Sequence, residues 1–208
     1  MRILSYNVSH QFWTCALDKL AWICAQINHY NANMVCLQHV YTERARLFVY
    51  RRLRLRYPYN TWDGGFMVFA EQPFESARYR LYKSNCALWE TGFVKVKTGG
   101  ATLYVVDSPT NAQYMEVLED AKADTTSALL AVLGTFGSEV RLQQTCAVCP
   151  GSFDANDVGM RMQFSYVDGT RPDVVYVLRC PPRCFPDSVI GMIGHLWISP
   201  HLPLTITI

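Results

Sequence analysis

The sequence predicts an α/β fold in which two β-sheets pack together and helices cover them from outside. Three observations carry this. Strand-like and helix-like segments interleave along the 208 residues, as they do where helices cover sheets. Several strand candidates form hairpins, which pair antiparallel and argue against one wholly parallel sheet. Half of the residues are hydrophobic and only 17% are charged. That is enough apolar material for a sizeable core and too little charge for a disordered chain. The length suits one large domain. With no repeat, low-complexity stretch or linker, residues 1–208 are expected to form it alone.

The elements follow in order. Arg2 to Val8 alternates around Ile3, Leu4 and Tyr6, a buried strand. Cys15 to His29 sets Leu17, Leu20, Ala21, Cys24 and Ile27 three and four apart, a helix with one apolar stripe. Asn31-Ala32-Asn33 breaks it, and Met34 to Leu37 is a short strand. A second helix is expected over Glu43 to Arg56, ended by Tyr57-Pro58-Tyr59 because proline disfavours helix in the residue before it. Gly64-Gly65 leads into the apolar strand Phe66 to Ala70. Phe93 to Lys97 and Thr102 to Val106 form a hairpin turned by Gly99-Gly100. Met115 to Phe136 is expected to be helical, with Leu118, Ala121, Leu129 and Leu133 on its apolar side. Asp173 to Leu178 and Leu202 to Ile208 read as the last strands.

The formal net charge of +2 makes no overall case for a nucleic-acid binder, so electrostatics must rest on local clusters. No stretch reaches the roughly 18 apolar residues that span a bilayer, and the start lacks the apolar run of a secretory signal. The expectation is an intracellular, reducing compartment with the eight cysteines as free thiols.

The strand ends resemble those of the endonuclease/exonuclease/phosphatase family, especially its sphingomyelinase-like and DNase I-like branches. Leu4-Ser5-Tyr6-Asn7-Val8 is similar to the opening strand. Val35-Cys36-Leu37-Gln38-His39-Val40 is similar to the second motif, usually Leu-Gln-Glu-Val. Tyr57-Pro58-Tyr59, Gly65 to Ala70 and Gln72-Pro73-Phe74 follow in the family's order. Val105 to Pro109 stands where the family has Asn-Thr-His, and Pro150 to Asp154 where it has Gly-Asp-Phe-Asn. Arg171 to Tyr176 resembles the arginine-x-aspartate strand, and Ser199 to Leu204 the closing Ser-Asp-His-Leu-Pro. Each motif is weak alone; together, in order, they are specific for the fold. The resemblance implies a four-layer α/β sandwich, two packed mixed β-sheets flanked by helices.

It also implies a metal-dependent phosphodiester hydrolase. That chemistry needs a divalent cation against phosphoryl charge, a base to activate water, and donors to the equatorial oxygens. The family's metal-holding glutamate is His39 here, a poor ligand for Mg²⁺ but suited to zinc or another transition metal. The plain alternative is a polar residue at a strand end. Ser152 replaces an aspartate that prepares the attacking water, and Pro200 replaces the closing aspartate. Pro109 stands in place of a phosphate-contacting histidine and offers no donor at all. By resemblance, Asp173 and His201 keep the carboxylate–imidazole base pair, and Asn7 and Gln38 keep the polar pair nearest the metal. Asp154 returns one carboxylate, so a rearranged metal site would use His39 and Asp154.

Two further clusters stand out. Arg44, Arg46, Arg51, Arg52, Arg54 and Arg56 crowd one segment opposed by Glu43. Arg51, Arg52 and Arg56 are candidates for phosphate contact, the bland alternative being a solvated helix face. Cys146-x-x-Cys149 and Cys180-x-x-x-Cys184 invite a zinc site. The first pair lies in an apolar run where cysteine acts as a small hydrophobe, which favours thiols that bind nothing.

The expectation is a degenerate phosphodiesterase kept for binding or assembly, with nucleic acid or another protein as partner and no cofactor. The alternative is an active nuclease or sphingomyelinase-like enzyme using Mg²⁺, Mn²⁺ or Zn²⁺ in a rearranged site.

Overall fold

A computed structural model describes residues 1–10, 17–84, 91–136, 153–154, 173–179, 187–190 and 204–207. The first six-stranded sheet contains β1 (Arg2–His10), β2 (Met34–Val40), β3 (Tyr59–Asp63), β4 (Phe66–Ala70), β11 (Asp187–Ile190) and β12 (Leu204–Thr207), in the spatial order β11-β12-β1-β2-β4-β3. The second contains β5 (Ser76–Leu81), β6 (Gly92–Thr98), β7 (Ala101–Asp107), β8 (Leu129–Thr135), β9 (Phe153–Asp154) and β10 (Asp173–Arg179), in the order β5-β6-β7-β8-β10-β9. Both sheets are mixed. β1 runs parallel to β2 and β7 parallel to β8, while the other pairs are antiparallel.

Alternation along the strands builds three cores, and three cores make four layers. Ile3, Met34, Cys36 and Val68 of the first sheet meet Val94, Leu103, Val105, Leu133 and Val175 of the second. The opposite face of the first sheet, Leu4, Tyr6, Val35, Leu37 and Phe69, is covered by α1 (Leu17–Tyr30) and α2 (Glu43–Leu53) through Leu20, Ile23, Ile27, Val49 and Leu53. The outer face of the second sheet, Tyr104, Val106, Leu130, Val132 and Tyr176, is covered by α3 (Asn111–Ala123) through Tyr114, Val117, Leu118 and Ala121. The four-layer sandwich expected from the strand-end motifs is the observed one.

One segment differs. The helix expected over Met115 to Phe136 is α3 from Asn111 to Ala123, followed by the strand β8. α3 begins with a capping box: the Thr110 hydroxyl accepts from the Gln113 N–H, and the Gln113 side chain accepts from the Thr110 N–H. It ends where the Asp124 carboxylate captures the backbone N–H groups of Thr126 and Ser127, a turn that competes with helix. Leu129–Thr135 is buried on both faces. A strand covered on both sides has no alternation to distinguish it from a helix stripe. The second helix also stops earlier, at Leu53. β3, β5, β9 and β11 are strands that the sequence left unassigned.

Candidate functional site

Several of the functional candidates among the described residues gather toward one end of both sheets. In the first sheet Asn7 pairs with Gln38 across β1 and β2. Ile3 and Ser5 share the inner face with Asn7, as Met34 and Cys36 share it with Gln38, so both amides enter the space between the sheets. Gln38 Nε2 donates to Ser5 Oγ at 3.1 Å, and its Oε1 is a buried oxygen with no hydrogen-bond partner among the described residues. In the second sheet Asp107 and Asp173 are each register partners of Thr135. Asn7 Nδ2 donates across the gap to Thr135 Oγ1 at 2.9 Å.

A second bridge joins the sheets. His39 Nε2 lies 2.7 Å from Asp107 Oδ2, with the imidazole one-third exposed and the carboxylate 9% exposed. His39 is held at φ 63° and Ser108 at φ 44°. Such left-handed geometry is uncommon outside glycine and concentrates at functional sites. Here it bends β2 immediately after Gln38, where its register with β1 shifts. The Tyr41 hydroxyl donates to the same Asp107 oxygen at 3.4 Å, and its ring lies 5.3 Å from the His39 ring. Burial, then the charge and hydrogen bond of Asp107, push the Tyr41 hydroxyl far above the ordinary tyrosine range, so it remains a neutral donor. In the Gly64-Gly65 turn between β3 and β4, Gly65 fits against the Tyr41 ring and Gly64 against that of Tyr79. A Cβ on Gly65 would come within 2.4 Å of the Tyr41 ring.

The structure thus brings Asn7, Gln38 and His39 together and sets the backbone of Asp173 at the same end. Asp154 lies on β9 and pairs with Tyr176, three positions along β10 from Asp173. His201, Ser152, Pro200 and the four cysteines of the candidate zinc site lie outside the described residues. Arg51 and Arg52 are exposed in the last turn of α2, away from this end. Arg56 is farther still. Its guanidinium donates to Glu71 at 3.2 Å and to the Asn28 carbonyl at 2.8 Å, and it contacts Asn31 beside the start of β2. These bonds make it a staple between α1, α2 and β4.

Three residues at the strand ends escaped the sequence reading. Asp107 closes an apolar strand at a motif position, a legible signal overshadowed by the loss of histidine at Pro109. Tyr41 follows the second motif directly. Thr135 lay inside the supposed helix, so no sequence signal pointed to it.

The donors among the described residues do not form a Mg²⁺ cage. Mg²⁺ takes a near-octahedral oxygen shell, whereas Asp107 accepts from His39 and Tyr41, and the glutamate position is an imidazole. Among the described residues no three His, Cys, Asp or Glu side chains group to hold an ion. The His39–Asp107 pair can instead hold a proton and fix the imidazole tautomer, because the carboxylate selects Nε2 as the protonated nitrogen.

No protein-family model matches the sequence, and no curated protein matches it either. Solved structures do. D. rerio TDP2 in complex with a single-strand DNA product superposes with a TM-score of 0.74 at 16% identity, covering 99% of this chain and 97% of that one. Sphingomyelinase C from Streptomyces griseocarneus gives 0.71 at 16%, covering 99% and 98%. An endonuclease/exonuclease/phosphatase family protein from Leptotrichia buccalis C-1013-b gives 0.71 at 12%, covering 100% and 98%. Likeness over the whole length at such low identity speaks for architecture rather than chemistry: this chain shares the DNase I-like fold of these structures.

Proposed function

We propose that residues 1–208 form one degenerate phosphodiesterase domain, kept for binding or assembly rather than turnover. The observation that carries this is His39. It occupies the position of the metal-holding glutamate and spans the gap between the sheets to Asp107 at 2.7 Å. Ser152 and Pro200 remove two more carboxylates from the motif set. A base drawn from Asp173 and His201 would still deprotonate water, but nothing in this donor set neutralises the charge that develops on a phosphoryl group. One well-placed electrostatic donor is worth about a hundredfold or more in rate, so several losses suppress turnover by orders of magnitude. Nucleic acid is the first partner to test, since the similar TDP2 was crystallised with a single-strand DNA product, and another protein is the second.

The test is hydrolysis of DNA, RNA and sphingomyelin with Mg²⁺ and with Mn²⁺. The expected result is no turnover above background for the parent protein, with His39→Glu/Ser152→Asp/Pro200→Asp as the restored control. Turnover by the parent that His201→Ala abolishes would overturn the proposal.

One observation favours the active alternative. The buried Gln38 Oε1 has no donor among the described residues, and an orphaned buried oxygen is costly unless a water or cation satisfies it. The alternative requires Zn²⁺ or Mn²⁺ to bind tightly, with binding lost in His39→Ala by calorimetry.

A further inference from the structure

We propose that the exposed side of α2, with the adjoining edge strand β3, binds single-stranded nucleic acid independently of the strand-end site. From Glu43 to Tyr59 the chain carries six arginines, no lysine and one acid. Two of the six are spent internally: Arg46 Nε donates to the Val40 carbonyl at 3.0 Å, and Arg56 staples α1 to β4. Arg44, Arg51, Arg52 and Arg54 are exposed, and no ion pair among the described residues involves them. At 100° per residue, Arg44, Leu47, Arg51 and Arg54 share the side of α2 opposite the buried Ala45, Val49 and Leu53.

The arginines are interleaved with rings. Arg52 lies 4.5 Å over Phe48, and Arg54 lies 5.8 Å over Tyr50. The Tyr50 ring lies 5.4 Å from that of Trp62, tilted by 58°, on β3, the outermost strand of the first sheet, and Tyr59 begins that strand 42% exposed. A guanidinium laid over a ring is pre-organised. It presents its other face to an unpaired base and its N–H edge to a phosphate. That combination suits a single strand, whose bases are free to stack, better than a duplex, whose bases are not.

An anionic membrane is the competing surface, because Leu55 is 89% exposed nearby. The observations favour nucleic acid. Tyr50 and Trp62 are engaged with each other and not free to insert, and Leu47, 37% exposed, stands between arginines.

The inference rests on reading this domain as a binding scaffold, and the two fail separately: hydrolysis by the parent would sink that reading, while this one is measured in EDTA. A fluorescein-labelled uridine oligonucleotide is titrated with the full chain across a salt series. Four phosphate contacts give a slope of log K against log salt of about −3, from roughly −0.7 each. Arg51→Gln/Arg52→Gln/Arg54→Gln should weaken binding at low salt at least ~10-fold and flatten the slope to about −1. Exposed Arg78 on β5 is the control, and Arg78→Gln should change nothing. A duplex of the same length should bind more weakly. No binding by the parent, or an unchanged slope in the triple variant, overturns the proposal. So does capture by phosphatidylcholine–phosphatidylserine vesicles that Leu55→Ser abolishes while the oligonucleotide stays unbound.

Discussion

Asp124 shows how one side chain can replace a run of secondary structure. Its side chain is 2% exposed. Oδ1 accepts from Thr126 and Ser127, and Oδ2 accepts from Thr102, Ser127 and Lys97. Burial disfavours the charged form, but the hydrogen bonds from Lys97, Thr126 and Ser127 outweigh it and hold the carboxyl well below the usual carboxylate range. Arg179 adds bonds to the carbonyls of Asp124 and Ser127, so α3, β6, β7 and β10 all meet here. Asp124→Ala leaves these donors unpaired and should cost roughly 3 kcal/mol in urea unfolding at neutral pH. A folded pKa below the unfolded one stabilises fully above the unfolded value and loses that stabilisation as pH falls through the folded value. The difference between the parent and Asp124→Asn should therefore narrow as pH drops below about 4. A difference unchanged on acidification would show that the charge is not what stabilises the turn. The buried thiols of Cys24 and Cys36 are the inert counterpart. Burial pushes both up to about 12, which leaves almost no reactive thiolate at neutral pH.

β8 is an element decided by its neighbours. It lies between β7 and β10 with both faces buried, and it must approach β7 closely at Gly134. There φ is 138°, and an added Cβ would lie 2.0 Å from the Val106 carbonyl oxygen. Neither the backbone nor the space admits a side chain. The same close approach lets Thr135 sit beside Asp107 and receive the Asn7 amide. Gly134→Ala should destabilise by at least about 2 kcal/mol, read as a lower thermal midpoint. A neutral or stabilising result would mean that β8 shifts freely along β7, and with it the Thr135 position that joins the two sheets.

At the scale of the molecule, the sandwich is closed by chain segments remote in sequence. β12 pairs antiparallel with β1 from Arg2↔Thr207 to Ser5↔Leu204, and β11 pairs outside it. β1 is therefore an interior strand, paired on both sides from Arg2 to Ser5. Deleting residues 204–208 would strip β1 of a partner and expose an apolar strand edge, a template for pairing between chains. The expected outcome is aggregation or a large loss of thermal stability, seen by light scattering and calorimetry. A monomeric, equally stable truncated protein would show that β1 needs no partner on that side. No helix of the described residues is long and apolar enough to cross a membrane.

The sequence by itself determined the architecture and one end of the site. Alternation in Arg2 to Val8, the Gly99-Gly100 hairpin and the order of strand-end motifs depend on local chemistry, and local chemistry is written residue by residue. Asn7, Gln38 and His39 were legible through the resemblance of two strand motifs, Leu4 to Val8 and Val35 to Val40, to those of a known family. Only the tertiary structure decided what His39 faces. Its partner Asp107 is 68 positions away on the other sheet, and no periodicity encodes a contact between sheets. β8 also required the fold. A run buried on both faces carries no pattern of its own, so the neighbours β7 and β10, and not its residues, make it a strand. The arginine segment divides in the same way. Its charge is plain in the sequence, but only the packed helix shows that Arg56 is bound inward and that Arg51, Arg52 and Arg54 remain outside.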